Sequence, residues 1–147
     1  RAECERACIL LRVAQLRDLG VKDLAQVEGL PEPLRRRSRH VITENQRVLD
    51  AVAAIRTGNL TELGRLFYAS HDSQRDDYEV SIPEIDLLVD LAVREPAVLG
   101  ARLTGGGFGG SIVALVAAGE AAGVAARLVE GYRRETGNPG AIMVPVG

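Results

Sequence analysis

Gly100-Ala101-Arg102-Leu103-Thr104-Gly105-Gly106-Gly107-Phe108-Gly109-Gly110-Ser111-Ile112-Val113-Ala114-Leu115-Val116 is the stretch of this 147-residue sequence on which the fold turns. Five glycines among the six residues 105–110 forfeit backbone entropy, so the segment needs a structural or chemical reason. A tight hairpin is one reason; close approach of backbone amides to an anion is another. The spacing Gly105-x-Gly107-x-x-Gly110 also fits the dinucleotide-binding fingerprint, which demands a helix directly after the loop. The residues after Gly110 are instead β-branched and apolar, and the run stops before Gly119. Glu130 stands about where the ribose-binding acid would fall, but inside a helical pattern and not at a strand end. The dinucleotide reading fails. A nucleotide P-loop fails as well, because no Gly-Lys-Ser/Thr comes after the glycines. The stretch reads as a strand over Val98–Thr104, a glycine turn, and a second strand over 111–118.

Working outward from it, the chain on the N-terminal side is helical. Residues 1–19 carry Ala2, Ala7, Cys8, Leu10, Leu11, Ala14 and Leu16 before Gly20, which predicts one helix with a glycine stop. A connector ends at Pro31 and Pro33. From Leu34 the positions Val41, Ile42, Val48, Leu49, Val52 and Ile55 recur at three- and four-residue steps, which predicts a long amphipathic helix ending near Thr57-Gly58. Asn59 can cap the next helix, with Glu62 reaching back, and Leu60, Leu63, Leu66, Phe67 and Ser70 form its stripe. A polar segment, His71 to Glu79, then reads as a connection. Ser81 and Glu84 predict a capping box, Pro83 a first turn, and Val80 with Ile85 a hydrophobic staple; Glu95-Pro96 ends that helix. Beyond the glycine turn come a helix over about 120–135 and a last strand over 141–146. Helices first, then strand, turn, strand, helix and strand predict a single α+β domain over 1–147, an antiparallel sheet with helices packed on one face.

Composition narrows the function classes. Hydrophobic residues make up 46% and charged residues 26%, ordinary values for a globular domain. Surface scaling for this mass gives roughly 7,300 Å² for the folded chain, enough closure for a core without metals or disulfides. Eighteen basic against twenty acidic residues leave a net charge of −2, which argues against a nucleic-acid partner. Lys22 is the only lysine, so no lysine-assisted phosphate loop exists here. Two cysteines do not make a disulfide scaffold, and no run of 18 apolar residues predicts a membrane span. No signal-peptide pattern opens the chain. It begins at Arg1 within a charged helical pattern, which leads us to expect a missing segment upstream.

No side-chain constellation declares a catalytic centre. Asp72, Asp76, Asp77 and Glu79 could hold a hard cation, but they lack the alternating spacing and central glycine of a calcium loop. We read them as turn and cap residues paired with Arg75. Ser70-His71-Asp72 names a hydrolase triad, yet adjacent residues cannot converge on one point. Cys4 and Cys8 share a helix face and would need two more ligands, with only His40 and His71 in the chain, so they read as small buried hydrophobes. Arg35-Arg36-Arg37-Ser38-Arg39 wraps around a helix and reads as a solvated face.

Four stretches resemble the C-terminal half of galactokinases, within the GHMP small-molecule kinase family. Residues 100–110 are similar to the family's third conserved motif. Ser70-His71-Asp72-Ser73-Gln74-Arg75-Asp76-Asp77-Tyr78-Glu79-Val80-Ser81, with Pro83-Glu84-Ile85-Asp86, resembles a segment associated with galactokinases in particular. His40-Val41 with Glu44-Asn45 resembles the family's long-helix segment, and Arg1-Ala2-Glu3-Cys4 the end of a Tyr-x-x-Arg-Arg-x-x-Cys stretch. Ser111 and Ile82 stand where cysteine is common, and Gln74 where leucine is common; none alters a charge or a glycine.

The resemblance implies a ferredoxin-like GHMP kinase C-terminal domain and ATP-dependent phosphorylation of the C1 hydroxyl of galactose in a cytoplasmic enzyme. It also implies that ATP and Mg²⁺ are bound mainly by an N-terminal half, this domain's partner, whose motifs do not occur here. No catalytic residue and no metal ligand is therefore carried into this chain. The one active-site element implied is the loop Thr104, Gly105, Gly106, Gly107, Phe108, Gly109 and Gly110, beside the transferred phosphoryl group. An unusually apolar face toward the absent half is expected too. Another GHMP sugar kinase, or a non-catalytic galactose-sensing regulator of the same fold, are the alternatives.

Overall fold

The computed structural model describes residues 1–144. Helix α1 spans Ala2–Leu11 and stops eight residues earlier than Gly20 suggested, because Arg12 turns into the left-handed region at φ 57°. Two short 3₁₀ turns come next, Leu16–Asp18 and Val21–Asp23, each closed by an aspartate that accepts a backbone amide: Asp18 from Gln15 and Asp23 from Gly20, both at 2.9 Å. These bonds answer amides that a continuous helix would have answered internally. A one-turn helix α2 (Leu24–Val27) leads to the long α3 (Leu34–Arg56), then α4 (Leu60–Asp76) and α5 (Pro83–Val93). Strands β1 (Val98–Thr104) and β2 (Ser111–Val116) form an antiparallel pair, and α6 (Ala121–Thr136) closes the described order.

The α+β reading therefore holds. β1 and β2 pair with Ala101 opposite Ala114, Leu103 opposite Ile112 and Thr104 opposite Ser111, with an irregularity between Val98 and Gly100. Among the described residues the sheet has two strands. The strand expected over 141–146 is not formed over 141–144, and its last two residues lie outside the described residues.

Two apolar cores hold the chain. In the first, Ala7, Leu16 and Leu34 join α1 to α3, with Cys4 and Cys8 packed against them as half-buried free thiols. In the second, Val89 and Ala92 of α5 meet Val124 and Leu128 of α6 over the sheet face carrying Ala101, Ile112 and Ala114. Small side chains on that face let the helices sit close, so packing density is kept without long residues. Between the cores, α4 lies against β1 main chain to main chain. A Cβ at Gly64 would stand 2.0 Å from the Leu99 carbonyl oxygen, and one at Gly100 would stand 2.3 Å from the Gly64 carbonyl oxygen.

Two other expectations are corrected. α4 continues through the polar segment to Asp76, because His71, Ser73 and Gln74 turn inward and are buried. The capping box at Ser81 does not form: Pro83 is the first helical residue after an extended Ile82, which leaves Ser81 outside the cap, and its hydroxyl donates to the Asp86 carboxylate instead. Asn59 does cap α4, accepting the Glu62 amide at 3.1 Å. The C-terminal half of the α3 stripe faces solvent, with Val48, Leu49, Val52 and Ile55 all exposed. The chain presents 8861 Å² to solvent, about a fifth more than the roughly 7,300 Å² of a closed monomer of its mass.

Candidate functional site

The two motif-bearing stretches of the sequence meet in space. Five of the six residues from 105 to 110 have positive φ: Gly105 95°, Gly107 83°, Phe108 61°, Gly109 128° and Gly110 98°. L side chains rarely enter this region, which accounts for the glycines and makes Phe108 the exception. The Phe108 amide donates to the Val80 carbonyl at 2.7 Å. Gly107 rests on the same residue, since a Cβ there would stand 2.6 Å from Val80 Cβ and 2.8 Å from its carbonyl oxygen. Gly109 sits over Ile82, at an ordinary 3.7 Å. On the other side the loop is open: a Cβ at Gly105 or Gly106 would meet nothing within 4 Å, and Phe108 projects outward, 74% exposed. Bare main chain held by a hairpin on one flank and by Val80 on the other can approach an anion with no side chain in between.

Val80 is itself placed by the arginines of α3. Arg36 Nη1 donates to the Asp76 carbonyl at 2.9 Å and to Glu79 Oε1 at 2.6 Å. Arg37 donates to the Asp77 carbonyl at 2.6 Å, to Glu79 Oε2, and through Nε to Glu3 at 2.7 Å. Arg39 bonds Glu28 at 2.9 Å. The basic run is thus no plain solvated face; Arg37 is buried, 8% exposed, and fastens the turn after α4. Hydrogen bonds from Arg37 and Arg36 hold the Glu79 carboxyl below its ordinary range. Asp72 and Asp76 pair with Arg75, as read from sequence, though from a helix and not a turn.

Both histidines are buried. His40 Nδ1 lies 2.9 Å from Ser73 Oγ, whose hydroxyl reaches Asp77 at 3.2 Å, and its ring stacks on Tyr78 at 4.4 Å. His71 Nδ1 accepts the Leu103 amide at 3.4 Å, which leaves the proton on Nε2, 3.3 Å from Asp86 Oδ1 without hydrogen-bond alignment. Burial lowers both pKa values, against the opposing charges of Glu44 and Asp86 respectively. Both rings are neutral bases used as structural hydrogen-bond partners. Glu44 gathers Ser70 at 2.6 Å, Arg47 at 2.6 Å and Arg102 at 3.3 Å, tying α3, α4 and β1 together.

Ser70, His71 and Asp72 do not converge: Ser70 bonds Glu44, His71 faces β1 and Asp72 pairs outward with Arg75. Among the described residues no three His, Cys, Asp or Glu side chains gather to hold a metal, and the acidic groups at 72 and 76 already serve Arg75. These residues do not fit a magnesium ion. A cleft of about 380 Å³ lies between β2 and α6, lined mostly by apolar side chains such as Ile112, Ala114, Val124 and Leu128, with no cationic side chain among the described residues that border it. No helix among the described residues is long and apolar enough to cross a membrane. Sequence reading missed Val80, Glu79 and Arg37 as parts of the loop's support. The one available signal was that Glu79 and Val80 belong to the same motif-like stretch as His71.

Comparison with known proteins supplies the family. The model of the GHMP kinases C terminal family matches residues 51–134. The chain is 48% identical over 143 residues to the galactokinase of Chloroflexus aurantiacus, covering 93% of this chain and 37% of that protein. It is 46% identical over 142 residues to the galactokinase of Haemophilus influenzae, with the same coverage, and 49% identical over 126 residues to that of Mycobacterium tuberculosis, covering 85% and 34%. The crystal structure of Lactococcus lactis galactokinase complexed with galactose superposes with a TM-score of 0.87 at 36% identity, over 94% of this chain and 37% of that one. The chain spans just over a third of the length of these relatives.

Proposed function

The chain belongs to the GHMP kinase C-terminal family, and we propose that it is the C-terminal domain, folding as one unit, of a galactokinase. The intact enzyme transfers the γ-phosphoryl group of ATP to the C1 hydroxyl of galactose; reliance on ATP argues for a cytoplasmic reaction. The observation that carries this reading is identity of 48% across nearly the whole chain, extending through both stretches that meet at Val80 and Gly107.

Phosphoryl transfer asks little covalent chemistry of a protein and much positioning and electrostatic stabilisation. The loop Thr104–Gly110 suits that work, with its side open at Gly105 and Gly106 and its geometry fixed at Gly107 and Phe108. In this reading it lies beside the transferred group and lends backbone polarity there, while the base and the metal come from the remainder of the enzyme.

The test is phosphate transfer by the intact protein, measured as ADP release with ATP and a panel of hexoses. Galactose should be the preferred acceptor, and Gly107→Val should lower turnover while the far-ultraviolet circular dichroism stays unchanged. Preference for another sugar, or binding of ATP and galactose without transfer, would overturn the reading. Unaltered turnover in Gly107→Val would remove the loop from the reaction.

A further inference from the structure

We infer that Glu79, gripped by Arg36 and Arg37, is a positioning residue that sets the conformation of the glycine loop 105–110. Four observations lead there. Glu79 comes after the end of α4 with φ 56°, a region that non-glycine residues hold only when the surroundings over-determine it. Its two carboxylate oxygens are taken by two guanidinium groups, Oε1 by Arg36 and Oε2 by Arg37. The same two arginines also bind the carbonyls of Asp76 and Asp77, so the turn is fastened at three of its four residues from 76 to 79. The next residue is Val80, whose amide donates back to the Gln74 carbonyl at 3.0 Å and whose carbonyl receives the Phe108 amide.

The direction of the Val80 carbonyl is therefore decided one residue upstream. Released from the arginines, Glu79 would relax toward negative φ and rotate the peptide that precedes Val80. Phe108, which keeps its own left-handed φ of 61° while bonded to Val80, would lose its acceptor. Exposed ion pairs in general contribute little, and Glu79 is itself partly exposed, with 44% of its side chain in solvent. The geometry differs from a free surface pair in one respect: Arg37 is buried and already committed to Glu3 and to a carbonyl, so it cannot track a carboxylate that moves. The loop is thus anchored through α3, by residues that touch none of its glycines.

The consequence for turnover rests on the galactokinase reading; the consequence for the loop does not, and the experiment separates them. In the intact protein, Glu79→Ala, Glu79→Gly and Glu79→Gln are compared with the original by hydrogen exchange over 104–110, by melting temperature, and by kcat and KM for galactose and ATP. Glycine accepts the left-handed φ but offers no carboxylate; glutamine keeps an oxygen acceptor without the charge. Exchange at the Phe108 amide should rise about tenfold or more in the alanine and glycine variants, and less in the glutamine one. In the same variants kcat should fall about tenfold or more with KM for both substrates near its original value, because misplacement of a positioning element acts on the reacting geometry. A lower melting temperature with Phe108 exchange unchanged would make Glu79 merely structural and overturn the inference. Wild-type exchange in the glycine variant would do the same, by showing that backbone freedom alone suffices. If the intact protein transfers no phosphate to galactose, the functional reading falls, and Phe108 exchange decides the inference alone. Should the alanine variant not fold, the glutamine variant carries both readouts.

Discussion

Alanine placed in turn at Gly106, Gly105 and Gly107 separates the two physical demands made on the glycine loop. At Gly106 the backbone lies outside the positive-φ region and a methyl would meet nothing within 4 Å. Alanine there should be neutral or stabilising by up to about 1 kcal/mol, since it only restricts the unfolded chain. At Gly105 the surroundings are equally open but φ is 95°, so the conformational penalty stands alone, about 1–2 kcal/mol. At Gly107 φ is 83° and the new methyl would also stand 2.6 Å from Val80 Cβ and 2.8 Å from its carbonyl oxygen. Overpacking of that kind adds about 1–3 kcal/mol, for a total of roughly 2–5 kcal/mol. For a domain of this size that corresponds to a fall in melting temperature on the order of 10 °C. Thermal and urea denaturation of the three variants in the intact protein should give the order 106, 105, 107. Equal losses at 105 and 107 would show that Val80 does not underlie the loop. A loss at 106 matching that at 105 would refute the argument from positive φ.

Gly64→Ala should destabilise by about 3 kcal/mol or more, because its methyl would strike the Leu99 carbonyl at 2.0 Å and main chain cannot step aside as a side chain can; a denaturation midpoint within error of the original would disprove the contact. Asn59→Ala should cost about 1 kcal/mol through loss of the α4 cap, measured in urea. His40 and His71 both have pKa values lowered by burial from 6.5. The unfolded chain then binds protons that the folded chain refuses, so stability should be fully present above about pH 7 and should decline as pH falls through 6.5 toward 5. These are the only two histidines, so a stability profile flat between pH 7.5 and 5 would contradict their neutrality in the fold.

Apolar spacing and turn chemistry were the parts of the fold that the sequence made legible. Ile112, Val113 and Val116 after the glycines are β-branched and predict the strand that excludes a dinucleotide fold, and β2 is found there. Pro83 marks the start of α5. The extension of α4 to Asp76 was hidden because its buried face there is polar: His71, Ser73 and Gln74 turn inward, with His71 accepting the Leu103 amide and Ser73 bonded to His40, a pattern that apolar periodicity does not register. Ser81 with Glu84 three residues on carries the signal of a capping box, but α5 starts at Pro83 with Ile82 in the cap position, so Ser81 stands one residue outside it and its hydroxyl donates to the Asp86 carboxylate. The site divides in the same way. The glycines announced themselves by composition, whereas their support at Val80 and Glu79 lies 27 residues or more before Gly107 and depends on how α4 ends. The Arg35–Arg39 run looked like solvated charge because sequence shows the charges without showing that Arg37 is enclosed between α1 and the turn after α4.

The meeting of Gly64 with Gly100 has a mechanical consequence. Helices normally ride on strands across a layer of side chains, and that layer absorbs small displacements by rotamer changes. Here carbonyl and Cα face carbonyl and Cα with no such cushion. α4 and the first half of β1 must therefore travel as one stiff body, and a tilt of the helix is delivered undamped to the strand whose far end carries Thr104 and the glycines.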